Sequence, residues 1–163
     1  MAINRESIFV ALQSRLQTKL SSSVYEVTRR PLPTATDGQV ANPRPDVQPC
    51  VYIAQSSEHA EGMHGEPRLW TIDAKLYVYA FDGNDVNGPA PTVNQILGLI
   101  EDALTSQASD AVEGKPFDMG QVGAGPTTLG GLVSDVEVTD ILLDEGIFGR
   151  QGFAAVTLRI RVF

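Results

Sequence analysis

The sequence is short of cysteine, of basic residues and of long apolar runs, and each shortage excludes a class of protein. A single cysteine, Cys50, excludes an internal disulfide framework. Twelve Lys and Arg against twenty Asp and Glu give a formal net charge of −8, the opposite of the basic surface that binds nucleic acid through its phosphates. No apolar run approaches the length of a membrane span, and the opening "MAINRESIFVALQSRL" lacks the apolar segment of a signal peptide. We therefore expect a chain that is neither exported nor anchored in a membrane.

The remaining composition is that of one folded domain. A chain of 163 residues, 42% of them hydrophobic, is long enough for one core and short for two. We therefore interpret residues 1–163 as a single domain. Cys50 stands among apolar residues in "PCVYIA", without a histidine motif nearby, which favours a small buried side chain over a nucleophile.

Two segments have the periodicity of a helix with one apolar face. In "NRESIFVALQSRLQTKL", apolar residues recur every four positions, Asn4 precedes them as an N-cap, and Glu6 lies in the first turn. This spacing predicts a helix over about 4–20. After "DGNDVNGPAP", Thr92 is placed to cap a second helix. The positions expected to face the core are Ile8, Leu12, Leu16 and Leu20 in the first helix and Val93, Ile96, Leu97, Ile100 and Leu104 in the second.

The strands are predicted from alternation. "RLWTIDAKLYVYAF" gives the strongest pattern, with Trp70, Ile72, Ala74, Leu76, Val78 and Ala80 on one side. Shorter signals are "VYEVTR" and "CVYIAQ", and "GGLVSDVEVTDILL" with "FAAVTLRIRVF" reads as a hairpin around "DEGIFGRQG". The order of elements predicts an α+β domain in which two main helices pack on one face of an antiparallel sheet. Long loops are expected at a Pro-rich arm over about 30–49 and at 56–67, 82–91 and 114–126.

The chemical motifs in the sequence are weak. "GQVGAGPTTLGG" contains glycines, but a strand rather than a helix is expected to follow, so it predicts a strand entrance and not a phosphate-binding loop. Glu58, His59, Glu61 and His64 are metal-ligand types, yet they lie in a predicted loop without a helical spacing. A small metal-dependent hydrolase with a site near His59 and His64 stays open as one alternative. No catalytic, cofactor-binding or metal-binding residue is assigned.

The polar side of the strongest strand is more informative. Tyr77 and Tyr79 stand there beside Asp73 and Lys75, and large aromatics half-exposed to water often mark contact with a partner. The alternative is that a second helix covers this face. Arg159 and Arg161 lie on the polar side of the last strand. The candidate interface is therefore Asp73, Lys75, Tyr77, Tyr79, Arg159 and Arg161.

The chain resembles the tail terminator proteins of tailed bacteriophages, also called tail completion or minor tail proteins. The similar segments are "INRESIFVALQSRL", "QPCVYIAQSSE", "LWTIDAKLYVYA", "TVNQILGLIEDAL", "TTLGGLV" and "FGRQGFAAVTLRIRV", and they occur in order over nearly the whole chain. The arm "RPLPTATDGQVANPRPDVQP" and the segment "GKPFDMGQVGAGP" have no counterpart in this pattern.

The resemblance implies an α+β protomer that assembles with itself into a ring of about six copies. Such a ring caps the tail tube, joins it to the neck or connector proteins, and lets DNA pass without specific binding. The protein is then a virion component without an active site or cofactor, made in the cytoplasm of the host bacterium. In an acidic ring, the loop acids Asp82, Asp85, Asp144 and Glu145 are the candidates to face the channel. A head–tail connector or head-closure protein is the alternative within the same particle.

Overall fold

The computed structural model describes residues 3–29, 43–62, 69–82, 88–104, 129, 132–144 and 149–162. Two helices and five strands make up this part of the chain. In chain order they are α1 (Arg5–Leu20), β1 (Glu26–Thr28), β2 (Cys50–Glu61), β3 (Leu69–Phe81), α2 (Ala90–Leu104), β4 (Asp135–Asp144) and β5 (Gln151–Val162), with a short 3-10 helix at Pro45–Val47 before β2. The predicted α+β class is confirmed.

The strands form one sheet in the order β1-β2-β3-β5-β4. The pairs β2–β3, β3–β5 and β4–β5 are antiparallel, as predicted for a hairpin-built sheet. The short β1 instead runs parallel to β2, with Glu26 opposite Cys50. The sheet is therefore mixed, which is possible because residues 29–49 separate β1 from β2 in the chain and the two strands need not be joined by a tight turn.

Helix α1 begins and ends where the sequence predicts. The side chain of Asn4 accepts a hydrogen bond from the backbone N–H of Ser7 at 3.1 Å, and Glu6 lies in the first turn. The predicted apolar face is confirmed, since Ile8, Leu12, Leu16 and Leu20 are all buried.

Helix α2 begins two residues before the predicted cap. The N–H of Val93 bonds to the carbonyl of Pro89 at 3.0 Å, so the first turn is already closed before Thr92. Pro91 fits this first turn because its missing N–H has no partner there in any helix. The five apolar positions predicted for this helix are confirmed as buried: Val93, Ile96, Leu97, Ile100 and Leu104.

One main core lies between the helices and what we call the inner face of the sheet. Along β3, Ile72, Ala74, Leu76, Val78 and Ala80 all contribute to it, and Trp70 packs at its margin. Along β5, the predicted inward residues Ala154, Val156, Leu158, Ile160 and Val162 are also buried. At Gly152 the helix and the sheet come so close that a Cβ there would lie 2.8 Å from Cβ of Pro89 and 2.9 Å from Cγ2 of Val93.

The predicted loop at 56–67 is wrong over its first half. Strand β2 continues through residues 56–61 and pairs with β3 as far as Glu61 opposite Leu69. The polar sequence does not predict this strand, because its distal half is held by backbone hydrogen bonds to β3 and not by burial of side chains. The strand also contains one irregularity, since Gln55 lies opposite Ala74 but Ser57 lies opposite Asp73. Ser56 is therefore an extra residue, a β-bulge.

The other predicted loops are described only in part. Of the arm at 30–49, residues 43–49 are described, and the side-chain amide of Gln48 donates to the carbonyl of Pro43 at 2.6 Å and to the side chain of Gln151 at 3.0 Å. Of the loop at 82–91, residues 90 and 91 belong to α2. Residues 30–42, 83–87 and the loop at 114–126 lie outside the described residues.

Candidate interaction surface on the outer face of the sheet

The outer face of the sheet, opposite the helices, holds all the residues of the predicted interface. The register places Asp73 opposite Arg159, Lys75 opposite Thr157, Tyr77 opposite Ala155 and Tyr79 opposite Phe153. Arg161 lies opposite Thr71, next to the pair of Asp73 and Arg159 and away from the tyrosines. Residues opposite one another in a sheet share a face. The two described helices pack on the inner face, so within the described part of the chain no second helix covers this surface. Whether a partner binds it stays a prediction.

One end of the outer face is aromatic. The ring of Tyr79 lies 5.2 Å from that of Phe153 and 5.9 Å from that of Tyr52, and Tyr77 stacks on Phe153 at 6.1 Å. With Cys50 these residues form a second, smaller core cluster. Cys50 is buried, as predicted. The expectation that Tyr79 is half-exposed is wrong: it is 3% exposed, because its neighbours on three strands enclose it.

Burial changes the acidity of this cluster. It is the main cause that raises the pKa of Tyr79 to about 12, with smaller contributions from Cys50 and Tyr77. Burial likewise raises the pKa of Tyr52, and the neighbouring Cys50 and Glu26 add to the effect. The Tyr52 hydroxyl donates to the Glu26 carboxylate at 3.3 Å. Both phenols are therefore neutral donors at physiological pH.

The other end of the outer face is ionic and centres on Asp73. The carboxylate of Asp73 accepts a hydrogen bond from the Ser57 hydroxyl at 2.8 Å, contacts Nε2 of His59 at 3.1 Å and lies 3.7 Å from Nε of Arg159. Burial raises the pKa of the Asp73 carboxyl, but the hydrogen bonds from Ser57 and His59 and the charges of His59 and Arg159 outweigh it. The pKa therefore lies below its ordinary value.

Arg161 extends this ionic region to the edge strand. Its guanidinium donates to Asp135 at 2.9 Å and to Glu137 at 2.8 Å, both on β4. Lys75 lies between the aromatic and ionic ends, and among the described residues it has no ion-pair partner. The ionic end is thus largely neutralised within the subunit, whereas the charge of Lys75 is not.

The alternative hydrolase site does not assemble in the described residues. The bulge at Ser56 places Glu58 opposite Ile72, on the inner face, and His59 opposite Thr71, on the outer face. Glu58 is held there by Arg5 of α1, whose Nε donates to it at 2.6 Å and whose guanidinium also lies 5.5 Å from the ring centre of Trp70. No group of metal-ligating side chains occurs among the described residues, and His64 lies outside them.

The contacts of Ser57, His59 and Asp73 also differ from those of a nucleophilic triad. In a triad the imidazole bonds to both the hydroxyl and the carboxylate. Here the carboxylate bonds to both other groups. Because its pKa is lowered, Asp73 is a poor base for the Ser57 proton.

The remaining predicted residues are distributed as follows. Asp82 follows β3 and Asp144 ends β4, and the register brings both to the end of the sheet where β5 begins. Asp85 and Glu145 lie outside the described residues. Of the arginines, Arg29 lies over the ring of Phe9 and pairs with Glu6 of α1, whereas Arg159 and Arg161 lie on the outer face of the sheet.

Sequence reasoning missed the edge strand β4 as a surface. Leu142 and Leu143 are 64% and 44% exposed. They lie near the end of the strand, where the apolar residues of "ILL" follow one another without an intervening polar residue. Three consecutive apolar residues on an amphipathic strand are the signal that could have found this edge.

No helix in the described part of the chain is long and apolar enough to cross a membrane.

Comparison with known proteins finds structural similarity at a low level. No protein-family description matches the chain, and no curated protein matches it. A chain in the solved structure of the virion of a native gene transfer agent particle is similar, with 12% sequence identity and a TM-score of 0.47. The similarity covers 94% of this chain and 92% of that chain. At this level of similarity we derive no function from it.

Proposed function

We propose that this chain is a structural protein of a phage-type virion that acts as a tail terminator. About six copies form a ring that ends the tail tube, joins it to the neck and leaves a channel for DNA. The sequence segments that resemble those of tail terminators, and that follow one another in the same order along the chain, support this proposal. The observation that carries it is the outer face of the sheet, which no described helix covers and which carries a cluster of aromatic side chains, the residue type that is enriched where subunits meet.

The charges on the outer face suit a closed ring. A ring is built from heterologous contacts, in which one surface of each copy meets a different surface of the next. Asp73, Arg159 and Arg161 form ion pairs within the subunit. Their charges therefore largely cancel, and they add little to the net charge of the face. In this proposal Lys75 is the residue that forms an ion pair with the neighbouring copy.

The proposal includes no reaction, cofactor or metal. The chain is made in the cytoplasm of the host bacterium and works in the virion, with the tail tube and neck proteins as partners. The acids at the β5 end of the sheet, Asp82 and Asp144, line the channel together with other acids, and DNA slides past because its phosphates are repelled.

Sedimentation and electron microscopy of the purified protein test the ring. We expect closed rings of about six copies, and we expect Lys75→Glu to dissociate them while Lys19→Glu, the same change on an exposed position of α1, leaves them intact. Rings that survive Lys75→Glu would remove the outer face from the contact. A monomer with metal-dependent hydrolysis would instead support the enzyme alternative.

Two further measurements test the channel and the position. The ring should not retain duplex DNA even in dilute buffer, whereas tight and salt-sensitive binding would contradict a passive channel. In intact particles the ring should sit on the tail tube. A ring seated within the head vertex would instead support the connector or head-closure alternative.

A further inference from the structure

The outer edge of β4 has an apolar end, residues 141–143, without a partner strand in the described part of the chain. Strand β4 ends the sheet on one side, and Leu142 and Leu143 are 64% and 44% exposed beside that edge. An exposed edge with apolar side chains is a template for another strand, since its backbone N–H and C=O groups are directed outward. Proteins that do not use such an edge normally protect it.

The other side of the sheet shows what protection looks like in this molecule. On β1, the carbonyl of Val27 accepts hydrogen bonds from the side-chain amides of Gln13 and Gln17 of α1, at 3.1 and 3.0 Å. Beyond β1, the free edge of β2 is polar and is interrupted by the bulge at Ser56. Strand β4 has a bulge of its own at Thr139, but the apolar end that follows it is paired regularly with β5 as far as Asp144 opposite Phe153.

The side chains of β4 define the partner that fits. The register places Ile141 and Leu143 on the inner face, opposite Val156 and Ala154, and places Asp140 and Leu142 on the outer face. Asp140 is exposed and has no ion-pair partner among the described residues. A strand added here matches best with apolar residues on the inner face and Lys or Arg on the outer face. Its basic heads reach Asp140 and its aliphatic stems cover Leu142.

A second copy of this chain fits the edge poorly. In a symmetric antiparallel pair centred on Leu142, Asp140 lies opposite Asp144 of the other copy, and like charges directly opposite destabilise a sheet. A pair centred on Ile141 places Asp140 opposite Leu142 instead. The formal net charge of −8 also attracts a basic segment. Charge therefore favours a basic partner.

We propose that the outer edge of β4 binds, by strand addition, a segment of a different protein in which apolar residues alternate with Lys or Arg. This contact uses the backbone edge of β4 and the margin of the outer face at Asp140 and Leu142, two strands away from Lys75 of β3, on which the proposed ring depends. The backbone of the partner supplies the ladder, and its charges supply the preference.

Binding of two short labelled peptides tests the proposal, one alternating valine with lysine and the other alternating valine with glutamate. We expect the full-length protein to bind only the lysine peptide. The bound peptide should slow hydrogen exchange at the amides of Ile141 and Leu143. Asp140→Lys should weaken that binding by about tenfold and allow the glutamate peptide to bind. Asp102→Lys makes the same charge change on the exposed side of α2 and should alter neither.

Other results would overturn the proposal. Failure of the lysine peptide to bind, or equal weakening by Asp140→Lys and Asp102→Lys, would show that β4 has no such specificity. Protection at β2 instead of β4 would place the contact on the wrong edge. Efficient disulfide cross-linking of Leu142→Cys into dimers would identify a second copy as the occupant. Circular dichroism of each variant establishes that it is folded.

Discussion

On the inner face of the sheet, β3 presents Ile72, Leu76 and Val78, all completely buried, whereas on its outer face the same strand presents Asp73, Lys75 and Tyr77 at partial exposure. The inner face is held by apolar burial under two helices. The outer face is held by rings at one end and by ion pairs at the other. Substitutions on the two faces should therefore differ in size and in their dependence on pH.

The largest effect is expected at the centre of the inner face. Leu76→Ala removes a fully buried side chain and should lower the free energy of unfolding by about 2–5 kcal/mol, through lost burial and the cavity left behind. Denaturant unfolding measures this. Leu142→Ala is the matched control, because the same truncation at a side chain that is 64% exposed should cost less than about 1 kcal/mol. A loss below about half a kcal/mol for Leu76→Ala would mean that the two faces are assigned backwards.

The contact between α2 and the sheet gives the second prediction. Gly152→Ala introduces a Cβ within 2.9 Å of Pro89 and Val93 side-chain atoms, so the first turn of α2 must move, at a cost of about 1–3 kcal/mol. Gly98→Ala is the control, since it lies on the same helix with nothing within 4 Å and should stabilise by up to about 1 kcal/mol. Equal behaviour of the two alanine variants in thermal unfolding would contradict close packing at Gly152.

The aromatic end of the outer face should respond to high pH. Because the folded-state pKa of Tyr79 is raised to about 12, the neutral phenol is favoured in the folded protein. Its contribution to stability is complete below about pH 10 and is lost as pH rises toward 12. Tyr79→Phe should remove on the order of 1 kcal/mol of that loss near pH 11. Tyr25→Phe, at a tyrosine that is 68% exposed, is the matched control for the loss of one phenol hydroxyl.

The smallest effect is expected at the ionic end. The pKa of Asp73 is lowered in the folded state, so its contribution is present above its ordinary pKa and is lost as pH falls below about 4. Asp73→Asn should cost less than about 1 kcal/mol at neutral pH, and the difference from the wild-type protein should shrink in acid. An unfolding difference that is the same at neutral and acid pH would show that packing, and not charge, makes Asp73 favourable.

The sequence was sufficient to predict those elements that depend on residues close together in the chain. The spacing of Leu12, Leu16 and Leu20 and the cap at Asn4 predict α1 because burial and capping act over a few residues. The alternation around Leu76 predicts β3 and its inner face in the same way. These features need no knowledge of distant parts of the chain.

Other features depend on distant partners and could not be predicted. The polar half of β2 is a strand because β3 lies beside it. The start of α2 depends on the bond to the Pro89 carbonyl more than on Thr92. Tyr79 is buried because Tyr52 and Phe153 reach it from two other strands. Neither the pairing of Asp73 with Arg159 nor the exposure of Leu142 is visible until the strand order is known.

The bulge at Ser56 sets which residues in the distal half of β2 lie on each face of the sheet. Residues before it alternate in one phase and residues after it in the other, which is why Glu58 meets Arg5 while Ser57 and His59 meet Asp73. Deleting Ser56 would return the strand to a regular ladder in which Gln55 still lies opposite Ala74 and Ser57 still lies opposite Asp73, so Glu58 would keep its contact with Arg5 and His59 its contact with Asp73. We therefore expect loss of Ser56 to leave both faces of the distal strand unchanged and to remove the local bend that the extra residue introduces.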